Sequence, residues 1–204
     1  MKRVNNQLKP SPARSPAPHP ASRLVLSTRA RDEHWMRQAV TEAVAAQGEG
    51  EVPVGAVIVF EDRLIGRGHN RTEGLHDPTA HAEIIALSAA SESVQNWRLA
   101  GSTLYVTLEP CLMCTGASIL ARVGQIVFGA RDEKLGSCGS VYDIPWDNRF
   151  NHRPEVTSGI LEPECRALLQ EFFRRRRAKG GPADIPATGP ARAAARFLPG
   201  KEQT

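Results

Sequence analysis

The sequence predicts a three-layer α/β domain, with helices packed on both faces of a central sheet. Segments with helical periodicity alternate with short apolar runs over residues 32–177, an order typical of this class. A chain of 204 residues is sized for one domain with tails. The longest apolar run, Val52–Phe60, is far shorter than a membrane-spanning segment and indicates a buried strand.

The first helix and the first two strands are predicted within residues 32–68. Asp32 is the expected N-cap of a helix whose apolar residues recur at helical spacing, and Gly48 is expected to end it. Val54–Phe60 and Leu64–Gly68 then form two strands joined by the polar turn at residues 61–63. This stretch predicts a helix packed beside a β-hairpin.

The middle of the chain continues the alternation. Thr79 is the expected cap of a helix over Ala80–Ser91, followed by a strand over Thr103–Leu108. Cys111–Ala121 is predicted as the next helix, and Gln125–Gly129 as the next strand.

The last part of the domain is less regular. Residues 130–155 are predicted to be irregular, and Glu155–Ile160 to form a last strand. Pro163 suits the first turn of a final helix, which runs into the arginines of Arg174–Arg177. The domain predicted in this way covers residues 32–177.

Both ends of the chain have a different composition. Residues 1–31 and 178–204 are rich in proline and alanine and have little to bury, so they are expected to be disordered. Residues 1–31 carry a charge of +7 and residues 174–204 a charge of +6, whereas residues 32–173 carry −9. The overall charge of +4 therefore describes the ends, and indicates nucleic-acid binding only if a basic cluster lies beside a reactive site.

Four residues form the pattern that indicates chemistry: His81 and Glu83, followed by Cys111 and Cys114. Cysteines at positions i and i+3 at the start of a helix project from one face, and the helix N-terminus favours their thiolate forms. One imidazole and two thiolates suit tetrahedral zinc, and they leave a fourth position for water. An open position is typical of a catalytic zinc site and not of a structural one.

Glu83 is the expected base beside this metal. Two thiolates neutralise the charge of zinc, so its water is acidified less than in an all-histidine site and a nearby carboxylate should help. Residues i and i+2 lie on different sides of an ideal helix, so His81 is expected at the helix edge, where its direction is less constrained.

Longer strings around these residues resemble the bacterial tRNA-specific adenosine deaminases, of the cytidine-deaminase-like zinc deaminase superfamily. The resemblance covers about residues 32–177 and excludes both tails. Its strings are Glu51–Val57, His76–Ile84, Leu104–Cys111, Val127–Asp132 and Phe172–Arg174.

The resemblance implies a cytidine-deaminase-like fold with a five-stranded mixed sheet, a homodimer and a cytoplasmic location. One Zn²⁺ per subunit would be held by His81, Cys111 and Cys114, with no nucleotide cofactor and no membrane partner. The implied reaction converts adenosine to inosine at the wobble position of a tRNA anticodon stem-loop, by zinc-activated water attacking C6 of adenine with Glu83 as proton shuttle.

The resemblance also implies residues that contact the substrate. Asn70 would hydrogen-bond the base, and the pocket would be lined by Val54, Ala82 and Pro110. Charged, polar and aromatic residues nominated for RNA contact are Asp132, Lys134, Asn151, His152, Arg153, Phe172, Arg174 and Arg176. Taken alone, Phe172 could equally be a core residue, and the arginines a solvated helix end.

Two other functions are compatible with parts of the pattern. The same zinc site could deaminate a free base or nucleoside of the guanine, cytosine or cytidine type. Alternatively, the chain could be a catalytically idle zinc module that binds RNA. Glu83 argues against the idle module, because a structural zinc site needs neither a base nor a vacant position.

Overall fold

A five-stranded mixed sheet forms the centre of the computed structural model, which describes residues 28–178. The spatial order is β2-β1-β3-β4-β5. The first strand runs antiparallel to both of its neighbours, whereas the third, fourth and fifth run parallel. The strands are β1 Gly55–Phe60, β2 Arg63–His69, β3 Thr103–Leu108, β4 Gln125–Ala130 and β5 Glu155–Ser158.

Helices cover both faces of this sheet. The helices are α1 Thr28–Gly48, α2 Thr72–Leu75, α3 Ala82–Ser93, α4 Leu112–Leu120 and α5 Glu162–Ala178. The helices α1 and α5 pack on one face and α3 and α4 on the other, around two separate apolar clusters. The predicted three-layer architecture with a five-stranded mixed sheet is confirmed.

The two apolar clusters follow from the alternation of side chains along the strands. In β1, Val57 and Val59 point toward α1, whereas Ala56 and Ile58 point toward α3. All four are buried. A strand covered on both faces is apolar at consecutive positions, as residues 56–60 are in this sequence.

Glycines in β2 let α3 lie directly on the sheet. A methyl group at Gly68 would lie 2.7 Å from the Ala82 carbonyl oxygen and 2.8 Å from the Ala86 nitrogen, so only a hydrogen fits. This close approach holds the first turn of α3 against the end of β2. The residues at the start of α3 are thereby held in a defined place.

The first helix begins at Thr28, four residues before the predicted cap. The expectation that Asp32 is an N-cap is wrong. Its carboxylate is buried and accepts a hydrogen bond of 2.9 Å from the Tyr105 hydroxyl in β3. Asp32 therefore links the helix to the sheet and does not satisfy its own helix N-terminus.

The start of α3 also differs from the prediction. Thr79 is not its cap, because the Thr79 N–H and hydroxyl both donate to the Asp77 carboxylate in a tight turn. The N-cap position is occupied by His81. The short helix α2 and a 3-10 turn at Ile144–Trp146 form within segments that carry no helical periodicity.

The two predicted disordered tails fall largely outside the described residues. Of residues 1–31, only the last four are described, and they belong to α1. Residue 178 ends α5, and residues 179–204 lie outside the description. No helix within residues 28–178 combines the length and the apolar character needed to cross a membrane.

Candidate active site

The sequence-predicted metal ligands meet at one end of the sheet. The carboxyl ends of β3 and β4 lie there, together with the first residues of α3 and α4. His81 occupies the N-cap of α3, Cys111 the N-cap of α4, and Cys114 the first turn of α4. Two helix N-termini thus meet at one place, and the positive ends of their dipoles favour negatively charged ligands.

The three ligand atoms are spaced as a metal requires. The His81 Nδ1 atom lies 3.7 Å from the Cys111 sulfur and 3.6 Å from the Cys114 sulfur. Bonds of ~2.0 Å to nitrogen and ~2.3 Å to sulfur at a tetrahedral zinc would separate the two atoms by about 3.5 Å, close to both distances. Among residues 28–178, this is the sole group of three such side chains whose ligand atoms lie within 4.8 Å of one another. The donor set and its spacing therefore fit zinc.

The pKa values of the two cysteines are shifted in opposite directions. A hydrogen bond from the Cys114 thiol, and a second contact with the His81 imidazole, lower the pKa of Cys111 to about 4. The same sulfur–sulfur hydrogen bond and burial raise the pKa of Cys114. Both shifts follow first from the close approach of the two sulfurs, and a divalent cation would bind both sulfurs as thiolates.

Glu83 lies beside the ligands without being one of them. Its side chain is buried in the first turn of α3, and burial raises the pKa of its carboxyl group. His81 has an extended backbone, with φ −77° and ψ 152°, so its side chain leaves the helix in a direction that residue i of a regular helix could not take. This position at the helix edge, expected from the sequence, lets both side chains border one pocket.

A pocket of about 520 Å³ opens above the cluster. His81, Glu83 and Cys111 form part of its lining. One wall comes from the segments before and after the β1–β2 hairpin, the opposite wall from residues 131–135, and the rim from α5. The lining residues outside the metal cluster include Val52, Val54, Asn70, Thr72, Arg131, Asp132, Glu133, Lys134, Leu135, Arg166, Leu169 and Phe173.

Two of the four predicted substrate-binding residues line this pocket. Val54 forms part of its wall, and Asn70 lies beside it with its Oδ1 atom accepting a hydrogen bond of 2.9 Å from the Ala82 N–H. Ala82 and Pro110 are buried and are not among the residues that line the pocket, so their contact with the base stays a prediction. The Ala82 methyl group belongs to the apolar cluster between α3 and the sheet.

Glu51 is a buried residue whose role the sequence did not reveal. Its carboxylate accepts hydrogen bonds from the Thr72 hydroxyl and from the N–H groups of Glu73 and Gly74, at 3.3, 3.2 and 2.7 Å. Because these donors open the short helix α2, Glu51 holds the wall that contains Asn70 and Thr72. Glu51 belongs to a string that resembles the deaminases, but neither its burial nor its partners are visible in the sequence.

Two nominated RNA contacts lie in the opposite wall. Lys134 is exposed on the pocket lining. The Asp132 carboxylate accepts hydrogen bonds from the N–H groups of Lys134 and Leu135, at 2.9 and 3.2 Å. Asp132 therefore shapes a turn, which explains an acidic residue at this position.

The nominated residues of α5 are placed differently from one another. Phe172 is 9% exposed and packs edge-to-face on Phe173, which is 42% exposed and lines the pocket. The exposed aromatic residue on the pocket lining is thus Phe173, and RNA contact by Phe172 stays a prediction. Arg174 pairs with Glu171 on its own helix at 2.8 Å, and Arg176 pairs with Glu73 of α2 at 3.2 Å.

Asn151, His152 and Arg153 lie away from the pocket. They directly precede β5, which begins beside the amino end of β4, whereas the pocket lies at the carboxyl end of that strand. The His152 Nε2 group donates to the Val123 carbonyl at 2.6 Å, and the Asn151 side chain accepts from Arg122 at 2.7 Å. The six residues of β4 span about 20 Å, so this cluster and the pocket cannot contact one nucleotide together.

Comparisons with known proteins agree with this geometry. A family model described as MafB19-like deaminase matches residues 30–177. The tRNA-specific adenosine deaminase of Bacillus subtilis (strain 168) is 48% identical over 149 residues, covering 73% of this chain and 92% of that protein.

Two solved structures show the same fold. One comes from a study of A-to-I editing by tRNA:A34 deaminases at the wobble position of transfer RNA. It is 43% identical with a TM-score of 0.65, and the match covers 67% of this chain and 99% of that one. The other is a guanine deaminase from Nitrosomonas europaea, 28% identical with a TM-score of 0.56, over 74% of this chain and 87% of that one.

The family match spans most of the chain and contains every residue of the metal cluster. The tRNA-specific relative is also matched over nearly its whole length. The chain therefore belongs to the MafB19-like deaminase family and, within it, groups with the bacterial tRNA-specific adenosine deaminases.

Proposed function

We propose that this protein hydrolyses the adenine amino group at the wobble position of a tRNA anticodon, forming inosine. The observation that carries the proposal is the open His81–Cys111–Cys114 cluster with Glu83 beside it on the lining of one pocket. The higher identity to tRNA-specific relatives than to the guanine deaminase supports RNA as the substrate class.

The metal that we propose is one zinc ion per chain. His81, Cys111 and Cys114 would hold it, since their donor types and their spacing match a tetrahedral site with one position free. When bound, zinc supplies a water molecule of lowered pKa as the nucleophile.

Glu83 would move the protons of the reaction. Its carboxylate would accept a proton from the attacking water and deliver it to the ring nitrogen next to C6. A second proton would then follow the same route to the amino group, which leaves as ammonia while the C6 oxygen remains as the carbonyl of inosine. Burial of Glu83 keeps bulk water from competing for these transfers.

Asn70 and Val54 would hold the base. The Asn70 oxygen is engaged by the Ala82 N–H, so its Nδ2 group is the part that can donate to a ring acceptor. Val54 offers an apolar wall next to it. A base held between a donor and an apolar surface can turn its C6 edge toward the metal cluster.

The rim of the pocket suits a nucleotide that remains attached to an RNA chain. Arg131, Lys134 and Arg166 surround the opening, and Phe173 offers an exposed ring for base stacking. An anticodon loop is already single-stranded, so turning its base into the pocket costs little pairing energy. The homodimer and the cytoplasmic location implied by the resemblance remain predictions.

A comparison of substrates tests this proposal. Purified protein is incubated separately with unmodified tRNA, adenosine, guanine and cytidine, and the products are analysed for inosine and for free deaminated bases. Inosine in the tRNA alone is the expected result. Turnover of a free base or nucleoside without turnover of tRNA would favour the alternative deaminase, and no turnover with retained RNA binding would favour the idle module.

A further inference from the structure

Glu109 is a buried carboxylate that directly follows β3 and precedes the metal ligand Cys111 by two residues. It is 2% exposed. Its oxygens accept hydrogen bonds from the N–H groups of Asp132, Cys138 and Ser140, at 3.2, 3.0 and 3.0 Å. A short fourth hydrogen bond comes from the Ser140 hydroxyl. All four donors belong to residues 132–140, the segment that follows β4.

The backbone of this segment is closed around the carboxylate. A methyl group at Gly136 would lie 2.5 Å from Cδ and 2.6 Å from Oε2 of Glu109, so no side chain fits there. The Ser137 N–H donates to the Pro110 carbonyl at 2.9 Å, and Gly136 forms an antiparallel bridge with Cys111. The segment is therefore attached both to Glu109 and to the strand end that carries a metal ligand.

The same segment forms a wall of the pocket. Arg131 to Leu135 line it opposite Asn70, and Glu109 itself reaches the lining. A buried charge is costly unless its hydrogen-bonding capacity is filled, and here one irregular segment supplies every partner. These hydrogen bonds therefore stabilise the conformation of one pocket wall, and not the packing of the core.

We propose that Glu109 is a positioning residue for the substrate: it holds residues 131–140 in the shape that receives the nucleotide. This inference rests on the proposed function, because the wall matters only if a nucleotide enters the pocket. Glu109 does not contact the reacting atoms in this account. It acts through the segment it binds, so its removal should affect substrate binding more than the chemical step.

The test uses the full-length, zinc-containing protein with Glu109→Gln, which keeps the shape of the side chain and replaces one acceptor oxygen by a donor. Amide exchange at Asp132, Cys138 and Ser140 should accelerate by about tenfold or more, since hydrogen bonds to a charged group are lost. The KM for tRNA should rise about tenfold, with kcat changed less than roughly threefold and zinc content unchanged. Glu155→Gln removes the same charge from an exposed position at the opposite sheet end and serves as the control.

A second variant approaches the same contact from the other side. Gly136→Ala keeps the carboxylate but displaces the backbone around it, so it should reproduce the rise in KM and the local acceleration of exchange. If Glu109→Gln does not fold, Gly136→Ala tests the proposal in its place.

Three results would overturn the inference: loss of zinc, exchange accelerated equally throughout the sheet, or an unchanged KM despite a loosened segment. Loss of zinc would mean that Glu109 supports the metal site. Equally accelerated exchange throughout the sheet would mean that it contributes to the stability of the whole domain. Inosine formation by the unaltered protein is measured alongside. Its absence would count against the proposed function, while amide exchange and zinc content would still decide whether Glu109 holds the segment.

Discussion

Glu83 and the three metal ligands differ in what their removal should do. Because Glu83 is proposed as a proton carrier and not a ligand, Glu83→Gln should keep one zinc per chain while turnover falls by at least about a hundredfold. Metal analysis and inosine release, measured on the same preparation, check both parts. Glu92→Gln, an exposed change on the same helix, is the matched control. Loss of zinc from Glu83→Gln with an intact fold would contradict the role.

Individual side chains of the site were predictable where the information is local. The spacing of Cys111 and Cys114, and the short distance from His81 to Glu83, indicate a metal site without knowledge of the fold. The choice between Phe172 and Phe173 could not be made in this way. Adjacent helical residues point about 100° apart, and which of them faces the pocket depends on how α5 lies on the sheet.

Among the contacts between helices and strands, the contact of α3 with β2 fixes the position of the metal cluster. Gly68→Ala would press a methyl group against the Ala82 carbonyl, so α3 must move away from the sheet. The free energy of unfolding should fall by about 1–3 kcal/mol, with weaker zinc binding because His81 moves with the helix. Denaturant unfolding and zinc titration measure the two effects.

Gly116→Ala is the matched control for that prediction. A methyl group at Gly116, inside α4, would meet no atom within 4 Å. This change should raise the free energy of unfolding by about 0.5–1 kcal/mol, because alanine favours the helix. Equal effects from both substitutions would show that the close approach at Gly68 does not matter.

The contact between α5 and β4 predicts a dependence of stability on pH. Cys165 of α5 packs against Gly129 of β4, and burial raises the pKa of its thiol to about 12. Since the folded-state pKa lies above the unfolded value of about 9, the contribution is complete below pH 9 and is lost as the pH rises toward 12. The free energy of unfolding should therefore decline between pH 9 and 10.

Cys165→Ala should make this alkaline decline shallower, by at most about 1.4 kcal/mol per pH unit for one group. Denaturant midpoints at pH 8, 9 and 10 for both proteins measure the difference. Identical slopes would show that the Cys165 thiol is not shielded from ionisation by the packing of α5.

The elements themselves were largely predictable, but several of their ends were not. Every strand and each of the four longer helices were predicted from the sequence. Asp32 lies inside α1, where it meets Tyr105, 73 residues away, and α2 is held by the carboxylate of Glu51. Partners so distant in sequence leave no local signal, so these ends follow only from the tertiary structure.

The positions of exposed basic residues at the two ends of the sheet predict where RNA binds. Lys134 is exposed beside the pocket, whereas Arg63 is exposed at the β1–β2 turn, at the opposite end of the sheet. Lys134→Ala should weaken tRNA binding and reduce the slope of log affinity against log salt by about 1, because one phosphate contact is lost. Arg63→Ala removes one charge as well but should leave that slope unchanged. A reversed pattern would place the RNA at the other end of the molecule.

The topology also decides which nominated residues can act together. Asp132 and Lys134 follow β4, whereas Asn151 to Arg153 precede β5, and parallel pairing of these strands puts the two groups at opposite ends. The sequence order places them only about twenty residues apart. Distance between them could not be inferred without the direction of β5, which a four-residue strand does not reveal.

X-ray absorption at the zinc edge of the purified protein tests the metal cluster most directly. We expect one zinc per chain, with two sulfur neighbours at ~2.3 Å, one imidazole nitrogen at ~2.0–2.1 Å and one further light atom from water. Cys114→Ala should remove the metal or one of the two sulfur neighbours. A zinc ion bound by a third sulfur or a second imidazole, with no water position, would contradict the proposed hydrolytic site.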